Sequence, residues 1–567
     1  MRRLRSAFLA VALLLSAIAA LPAASVAAAL PAGTSKFVTA TQVRLVETRA
    51  SAGRFGFVRL GSNHIRVRVA GTRGVPANAT AVVVNITAAG GATAGTIAAI
   101  PAGGTVTGQS NVVTESALIS VANLTTVKLG VAGSIDLFHT PGMNMTIDLV
   151  GYYVPVTNAV AAGRLVLAQR PLTAMDRRRI GAKGDVVVNL AAGGVPASSS
   201  AAIVNVTVQD AAPGFVAAYA YGRSRPNAST LSISQRNQPR SNQTIVPVTS
   251  TNVKMRIYAS DGATVTVEVI GWFTGASNQA STAGLFIPGT AHRRLITKTS
   301  PVKLAPFGPF TTEFTSGLGL PVAAVAANIV SAEAWDAERL VARPAGVPGS
   351  GVAVSTVGAP RLKVAAHALL RTSNRGVALT SASGAHLTVD VVGWYLGTPP
   401  RATSLPVKNR AIKPSRVVAV RWTELNPSTG RGITKIAPVV VPRSDNLDAA
   451  ANSGGGAAYR SHSTLGAMGN VLVFGHRTAH GAVFNQLNNI PVGSGFSLKS
   501  ANGHWYNYRV VGRHITPPTY RAIAAMANLW PPITAQLVAC STPDFGTGPG
   551  TTTKYRIVIT GELISVN

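Results

Sequence analysis

MGNVLVFGHRTAHGAVFNQL, residues 468–487, and LVACSTPDFGTGPGTTTKYRIVITGEL, residues 537–563, decide how the C-terminal part of this chain folds. In both stretches a short run of Val, Leu and Ile stops at a polar residue. Val471 to Phe474 runs into Gly475-His476-Arg477, Leu537-Val538-Ala539 runs into Cys540, and Ile557 to Ile559 begins straight after Arg556. Apolar runs of this length, bounded by Gly, Ser and Thr, read as β-strands. A thiol, an imidazole and a guanidinium therefore each sit at one end of a predicted strand. Cys540 is the single cysteine among 567 residues.

That trio is what acyl transfer through a thioester needs. A free thiol has a pKa of about 8.5 and carries little thiolate at neutral pH without help. A nearby His stabilises the thiolate or protonates a departing amine. An Arg donates hydrogen bonds to the oxygen that turns negative in a tetrahedral intermediate. Taken singly, each residue has a plainer reading. A lone Cys is most often a small buried hydrophobe, and five of the ten His lie after residue 460. His476 and His480 are four apart, a spacing that pairs ligands on a helix. Gly475 and Gly481 flank them, however, and the glutamate of an H-E-x-x-H motif is absent. No metal and no cofactor is expected.

The segment GNVLVFGHRTAHG resembles the catalytic-His segment of sortases, LVACSTP resembles their T-L-x-T-C strand end, and YRIVITGEL resembles the strand that supplies their catalytic Arg. The order His, Cys, Arg is also the family's, here at separations of 64 and 16 residues. The H-R-T-x-x-G-x-x-F wording is most similar to class E of high-G+C Gram-positive bacteria. The resemblance runs from about Arg416 to Asn567. It implies an eight-stranded β-barrel with catalytic Cys540, His476 and Arg556. Gln536 and Ala539 depart from it, standing where the family usually has Thr; the second adjoins the thiol.

The rest of the chain is basic and apolar. It has 51 Lys plus Arg against 19 Asp plus Glu, a net charge of +32, with only 12% of residues charged. That balance suits an anionic partner. No zinc-finger spacing, RNP-like strand or dense basic helix is present, so nucleic acid is not the expected one. An anionic cell envelope fits better, because the N-terminus reads as an export signal. Met1-Arg2-Arg3-Leu4-Arg5 is a basic start, Ala7 to Leu21 is apolar except for Ser16, and small residues surround Ser25-Val26-Ala27. Residues 1–30 are thus a signal peptide or a signal anchor, and the protein is expected at the cell surface or outside the cell. A single exported thiol has no internal disulfide partner. No C-terminal L-P-x-T-G with a hydrophobic tail marks the chain as a sorting substrate itself.

Self-similarity organises residues 35–397. Three segments end alike, at Ile147-Asp148-Leu149-Val150-Gly151-Tyr152-Tyr153, Val267-Glu268-Val269-Ile270-Gly271-Trp272-Phe273 and Val389-Asp390-Val391-Val392-Gly393-Trp394-Tyr395. Each also has an earlier apolar strand with one central Asn, at Asn85, Asn205 and Asn328, lying 66, 66 and 65 residues before the terminal Gly. Each repeat reads as an all-β sheet or sandwich. The repeats resemble a secreted module of high-G+C bacteria, whose R-L-L-D-T-R opening is matched by Arg44 to Arg49 and lost in the second and third copies. The central Asn is expected to satisfy backbone groups at a strand edge or bulge. The Gly-aromatic ending reads as packing a core edge. One acid per repeat, without a D-x-D cluster, argues against calcium.

GTPPRATSLPVKNRAIKPS, residues 397–415, has four Pro and four Lys or Arg and reads as an extended linker. Beyond it, strands resume, and a short helix is predicted over Thr519–Trp530. The expected architecture is mainly β: three tandem β-sandwich-like repeats followed by a sortase-like eight-stranded β-barrel. Its segments are 1–30 (targeting), 35–155, 160–276 and 283–397 (repeats), 398–415 (linker) and 416–567 (catalytic). The resemblance implies a cysteine transpeptidase that cleaves a Thr-Gly bond in L-A-x-T-G or L-P-x-T-G sorting signals. Its partners would be exported proteins bearing that signal and an amine of a peptidoglycan precursor or a pilin. A surface-binding or adhesive protein with a degenerate barrel is the alternative. Papain-like hydrolysis fits less well, since that family usually places its Cys before its His.

Overall fold

Val, Ile and Thr alternating with small residues favour the pleated surface of a sheet, and strands dominate throughout. The computed structural model describes residues 30–296, 310–312, 318–334, 337–347, 351–359, 361–381, 385–402, 415–426, 428–443, 446–460, 463–465, 470–491, 493–516, 534–541 and 555–567. The targeting segment up to residue 29, most of the linker, the helix read over Thr519–Trp530 and the loop 542–554 lie outside the described residues.

Each repeat builds one four-stranded antiparallel sheet in the same order. In the first, the opening strand Ser35–Glu47 pairs the closing strand Met145–Pro155, which pairs the Asn strand Ala81–Ala89, which pairs Ser120–Lys128. The third repeats this with Phe286–Ile296, His386–Leu396, Val322–Ala332 and Val364–Arg371. The second does so with Leu165–Asn189, Lys254–Thr274, Ser199–Gln209 and Arg240–Pro247. A second sheet faces the first across a core, as in Val58–Gly61, His64–Arg68, Ser134–His139, Gly95–Pro101 and Val112–Thr114 of repeat one. The opening strands of repeats one and three meet at Ser35 and Phe286, joining two sheets into one of eight strands.

Strand alternation explains why these sheets are apolar on both faces. Val82, Val84, Ile86 and Ala88 point into the first repeat's own core. Ala81 and Val83 point the other way, into a core shared by all three repeats, which draws six buried residues from each. Its centre is aromatic: Phe37 stacks on Phe273 at 4.1 Å, Tyr153 packs tilted against Phe286 at 4.3 Å, and the Tyr153 and Tyr395 hydroxyls meet at 2.5 Å. So the Gly-aromatic endings do not close a core edge; they build the common core. The glycines follow from this. A Cβ on Gly151 would lie 2.3 Å from Cζ of Phe37, and one on Gly393 2.2 Å from Cζ of Phe286.

Two readings of the repeats are corrected. The central Asn sits in mid-sheet rather than at an edge, on the face turned toward neighbouring repeats and just past a register shift in its pairing with the closing strand. Its own strand is already paired on both sides, so its amide reaches outward. Asn85 Nδ2 donates to the Ser229 carbonyl of repeat two at 2.6 Å, and Asn328 Nδ2 to the Ser110 carbonyl of repeat one at 2.7 Å. Asn205 instead turns to Glu268 of its own repeat at 3.4 Å. The opening arginine, in turn, is not lost from repeat three. Arg293 pairs in register with Asp390 and donates to it at 2.6 and 3.3 Å, as Arg44 does to Asp148 at 2.9 and 3.3 Å. Only repeat two, with Thr173 opposite Glu268, drops the pair.

The C-terminal region closes into a barrel of eight strands: β1 Ser415–Leu425, β2 Gly432–Val440, β3 Gly456–Ala457, β4 Asn470–Phe474, β5 Gly495–Ser500, β6 Trp505–Thr516, β7 Thr534–Ser541 and β8 Tyr555–Val566. The order round the barrel is β1-β2-β3-β4-β7-β8-β6-β5 and back to β1. Trp422, Phe484, Phe496 and Tyr508 fill it, with Trp422 and Phe484 edge to face at 5.2 Å. Burying a side chain such as Phe484 contributes about 1.5–3 kcal/mol. Among the described residues, every member of this core lies between Val417 and Val566.

Candidate active site

Register brings the three chemistry-bearing residues to one end of three adjacent strands. β4 runs parallel to β7 with Phe474 beside Val538, and the Gly475 N–H donates to the Val538 carbonyl at 3.0 Å. Two residues further along each chain are His476 and Cys540. β8 runs antiparallel to β7, with Arg556 directly opposite Cys540. Directly opposed residues place their side chains on the same face of a sheet. Leu537, Ala539, Ile557 and Ile559 belong to the barrel core, so Cys540 and Arg556 project from its outer face. Both are half-buried, as is His476.

The departures from the family wording have distinct positions. Ala539, though next to the thiol in sequence, faces the barrel core and is 3% exposed. Gln536 shares the outer face with Cys540, is buried, and donates to Thr560 Oγ1 at 3.1 Å. The outer floor beside the thiol is therefore made of the facing pairs Gln536–Thr560, Val538–Val558 and Cys540–Arg556.

The loop after β4 is tightly determined. A Cβ on Gly475 would fall 2.5 Å from Val483 and 2.6 Å from the Phe484 ring. The Phe484 N–H donates to the His476 carbonyl at 2.9 Å, folding the loop back over the barrel end. His480 and Gly481 turn it in the left-handed region, at φ 48° and 81°. His476 Nε2 donates to Asn452 Oδ1 at 2.7 Å, and its ring lies 5.0 Å from that of His480. Asn452 follows the short helix α1, Leu447–Ala451. The sequence reading passes over it, because it lies 24 residues upstream of His476 in a Gly-rich loop with no spacing signature. It passes over Arg477 too. That side chain is buried and binds four oxygens, of Asn485, Asn488, Cys540 and Ser541.

Burial holds the Arg477 guanidinium below its ordinary pKa, and the charge on Cys540 opposes that shift. Register thus carries a thiol, an imidazole and a guanidinium to one end of the barrel. Such an arrangement has the parts for nucleophilic acyl transfer.

Residues 432–564 match the family model described as Sortase domain. No curated protein matches the chain. Among solved structures, sortase E from Streptomyces avermitilis is 20% identical, over 27% of this chain and 90% of that one, with a TM-score of 0.20. The SrtA sortase from Actinomyces oris is 15% identical over 29% and 89%, with a TM-score of 0.21. The SrtF sortase from Corynebacterium diphtheriae is 19% identical over 29% and 91%, with a TM-score of 0.20.

Proposed function

We propose that the protein is an exported cysteine transpeptidase of sortase type, most like class E, in which Cys540, His476 and Arg556 carry the reaction. The sulfur of Cys540 attacks the carbonyl carbon of the Thr-Gly bond in an L-A-x-T-G or L-P-x-T-G signal. Arg556 donates hydrogen bonds to the oxygen that becomes negative, or to the signal's backbone. His476 gives its proton to the departing glycine amine as the C–N bond breaks and the thioester forms. An amine of a peptidoglycan precursor or a pilin Lys then attacks the thioester and expels the thiolate. Water at this step gives hydrolysis instead. The single observation that carries this reading is the register match of Cys540 with Arg556 on the barrel's outer face, with the His476 loop beside it.

The three repeats serve as an envelope-facing region, in keeping with the net charge of +32. The basic, apolar N-terminus supports export, either cleaved or retained as a membrane anchor. The test is product analysis by mass spectrometry: the full chain is incubated with both signal peptides and a triglycine amine. Cleavage after Thr, with a new Thr-amine conjugate that is absent for Cys540→Ala, is the expected result. Intact peptides under all conditions favour the non-catalytic alternative, a surface-binding protein with a degenerate barrel.

A further inference from the structure

Arg477 has no part in the steps above, yet it is only 3% exposed and bonds the backbone carbonyl of Cys540. We propose that Arg477 is a positioning residue: its buried guanidinium locks the His476 loop to the strand end that carries Cys540. This rests on the reading of Cys540 as the nucleophile.

The geometry joins three segments. Nη1 donates to the Cys540 carbonyl at 3.3 Å and to Ser541 Oγ at 3.2 Å, both at the end of β7. Nη2 donates to Asn488 Oδ1 at 2.8 Å, and Nε to the Asn485 carbonyl at 3.3 Å. The residue before Arg477 is His476 itself. A backbone displacement of the His476 loop away from the end of β7 must therefore strain or break these contacts. All four of these acceptors are neutral. A guanidinium stays charged when buried and presents five N–H donors in a rigid fork. A lysine ammonium, with three donors on a flexible stem, does not span the same four oxygens.

The test uses the full chain. Hydrogen exchange of the peptide spanning residues 475–487 is followed for wild type, Arg477→Gln and Arg477→Lys, alongside kcat and KM for signal-peptide cleavage. Both substitutions lose the four-way fork. Each is expected to speed exchange in that peptide about tenfold and to lower kcat about tenfold with KM within about twofold. A folded Arg477→Gln protein with wild-type exchange, or full kcat in Arg477→Lys, overturns the proposal. Should near-ultraviolet circular dichroism show Arg477→Gln unfolded, Asn488→Ala decides. It loosens one corner and is expected to lower kcat about threefold; unchanged kcat overturns the assignment. If no form cleaves peptide while exchange rises as described, the transpeptidase reading fails and the anchoring of the loop by Arg477 stands.

Discussion

Acid should weaken the repeats through one buried histidine, His367. It lies in the fourth strand of repeat three, paired opposite Asn328, and is fully buried. Neither ring nitrogen has a hydrogen-bond partner among the described residues. Burial drives its pKa from 6.5 down to about 3. A folded state that resists protonation binds fewer protons than the unfolded chain between those values. Stability from this group is therefore complete above pH 6.5 and is lost as pH falls toward 3. Going from pH 7 to pH 5 costs about 2 kcal/mol, and to pH 4 about 3 kcal/mol. The chain supplies its own control substitutions. In the same register, repeat one has Leu124 opposite Asn85, and repeat two has Gln243 opposite Asn205. His367→Leu should therefore fit, remove the pH-dependent loss and relieve two unpartnered buried nitrogens. Other groups near this interface also titrate: burial raises Glu115, which accepts from the Lys363 N–H, and lowers Arg240. Their contributions cancel when wild type and His367→Leu are compared at each pH. The assay is urea unfolding at pH 7 and pH 5, read by pulsed hydrogen exchange on the peptide spanning residues 364–371. Equal pH losses in the two proteins would refute the reasoning.

The remaining predictions concern the ion pairs, the shared core and the separability of the barrel. Arg293→Ala leaves Asp390, 1% exposed, without its bidentate partner and should cost about 3–5 kcal/mol in urea unfolding; Asp390→Asn added to it should recover part of that loss. Gly151→Ala should cost about 1–3 kcal/mol in urea unfolding, because its Cβ would lie 2.3 Å from the Phe37 ring and 2.8 Å from the Val38 carbonyl oxygen. Phe37→Leu, the residue repeat two uses at Leu165, should recover only the ring's part, since a Cβ on Gly271 there still meets the Val166 carbonyl oxygen at 2.4 Å; full recovery would show that the backbone contact is not an obstacle. Deleting residues 35–397 should leave peptide cleavage close to that of the full chain, because the barrel core is self-contained. A folded truncation that has lost most of its activity would mean that a repeat surface completes the substrate groove.

Much of this was legible in the chain itself. Polar residues at the ends of short apolar runs located the ends of β4, β7 and β8, since a strand's register carries its last residue to a fixed corner. The Asn, acid and Gly-aromatic landmarks revealed three copies of one sheet. What those landmarks touch was not legible. Asn85 bonds Ser229 and Asn328 bonds Ser110, partners 144 and 218 residues away in another copy. Alternation shows that a strand is apolar on both faces, but not what covers its second face. Arg293 escaped notice because the words around it changed while its register opposite Asp390 did not. Arg477 was hidden by its neighbour: beside a histidine of obvious chemical interest, an arginine reads as surface charge until its burial is seen.

The central claim is that Cys540 takes an acyl group from a peptide. The most direct measurement is intact-protein mass spectrometry of the full chain mixed with an L-A-x-T-G peptide and quenched in acid within seconds. A thioester survives acid, so an adduct equal to the peptide's portion through Thr should appear. It should map to Cys540, vanish on adding hydroxylamine or triglycine, and be missing from Cys540→Ala and His476→Ala. A wild-type protein whose thiol alkylates readily, yet which forms no adduct and releases no glycine-bearing fragment with either L-A-x-T-G or L-P-x-T-G peptides, would contradict the account.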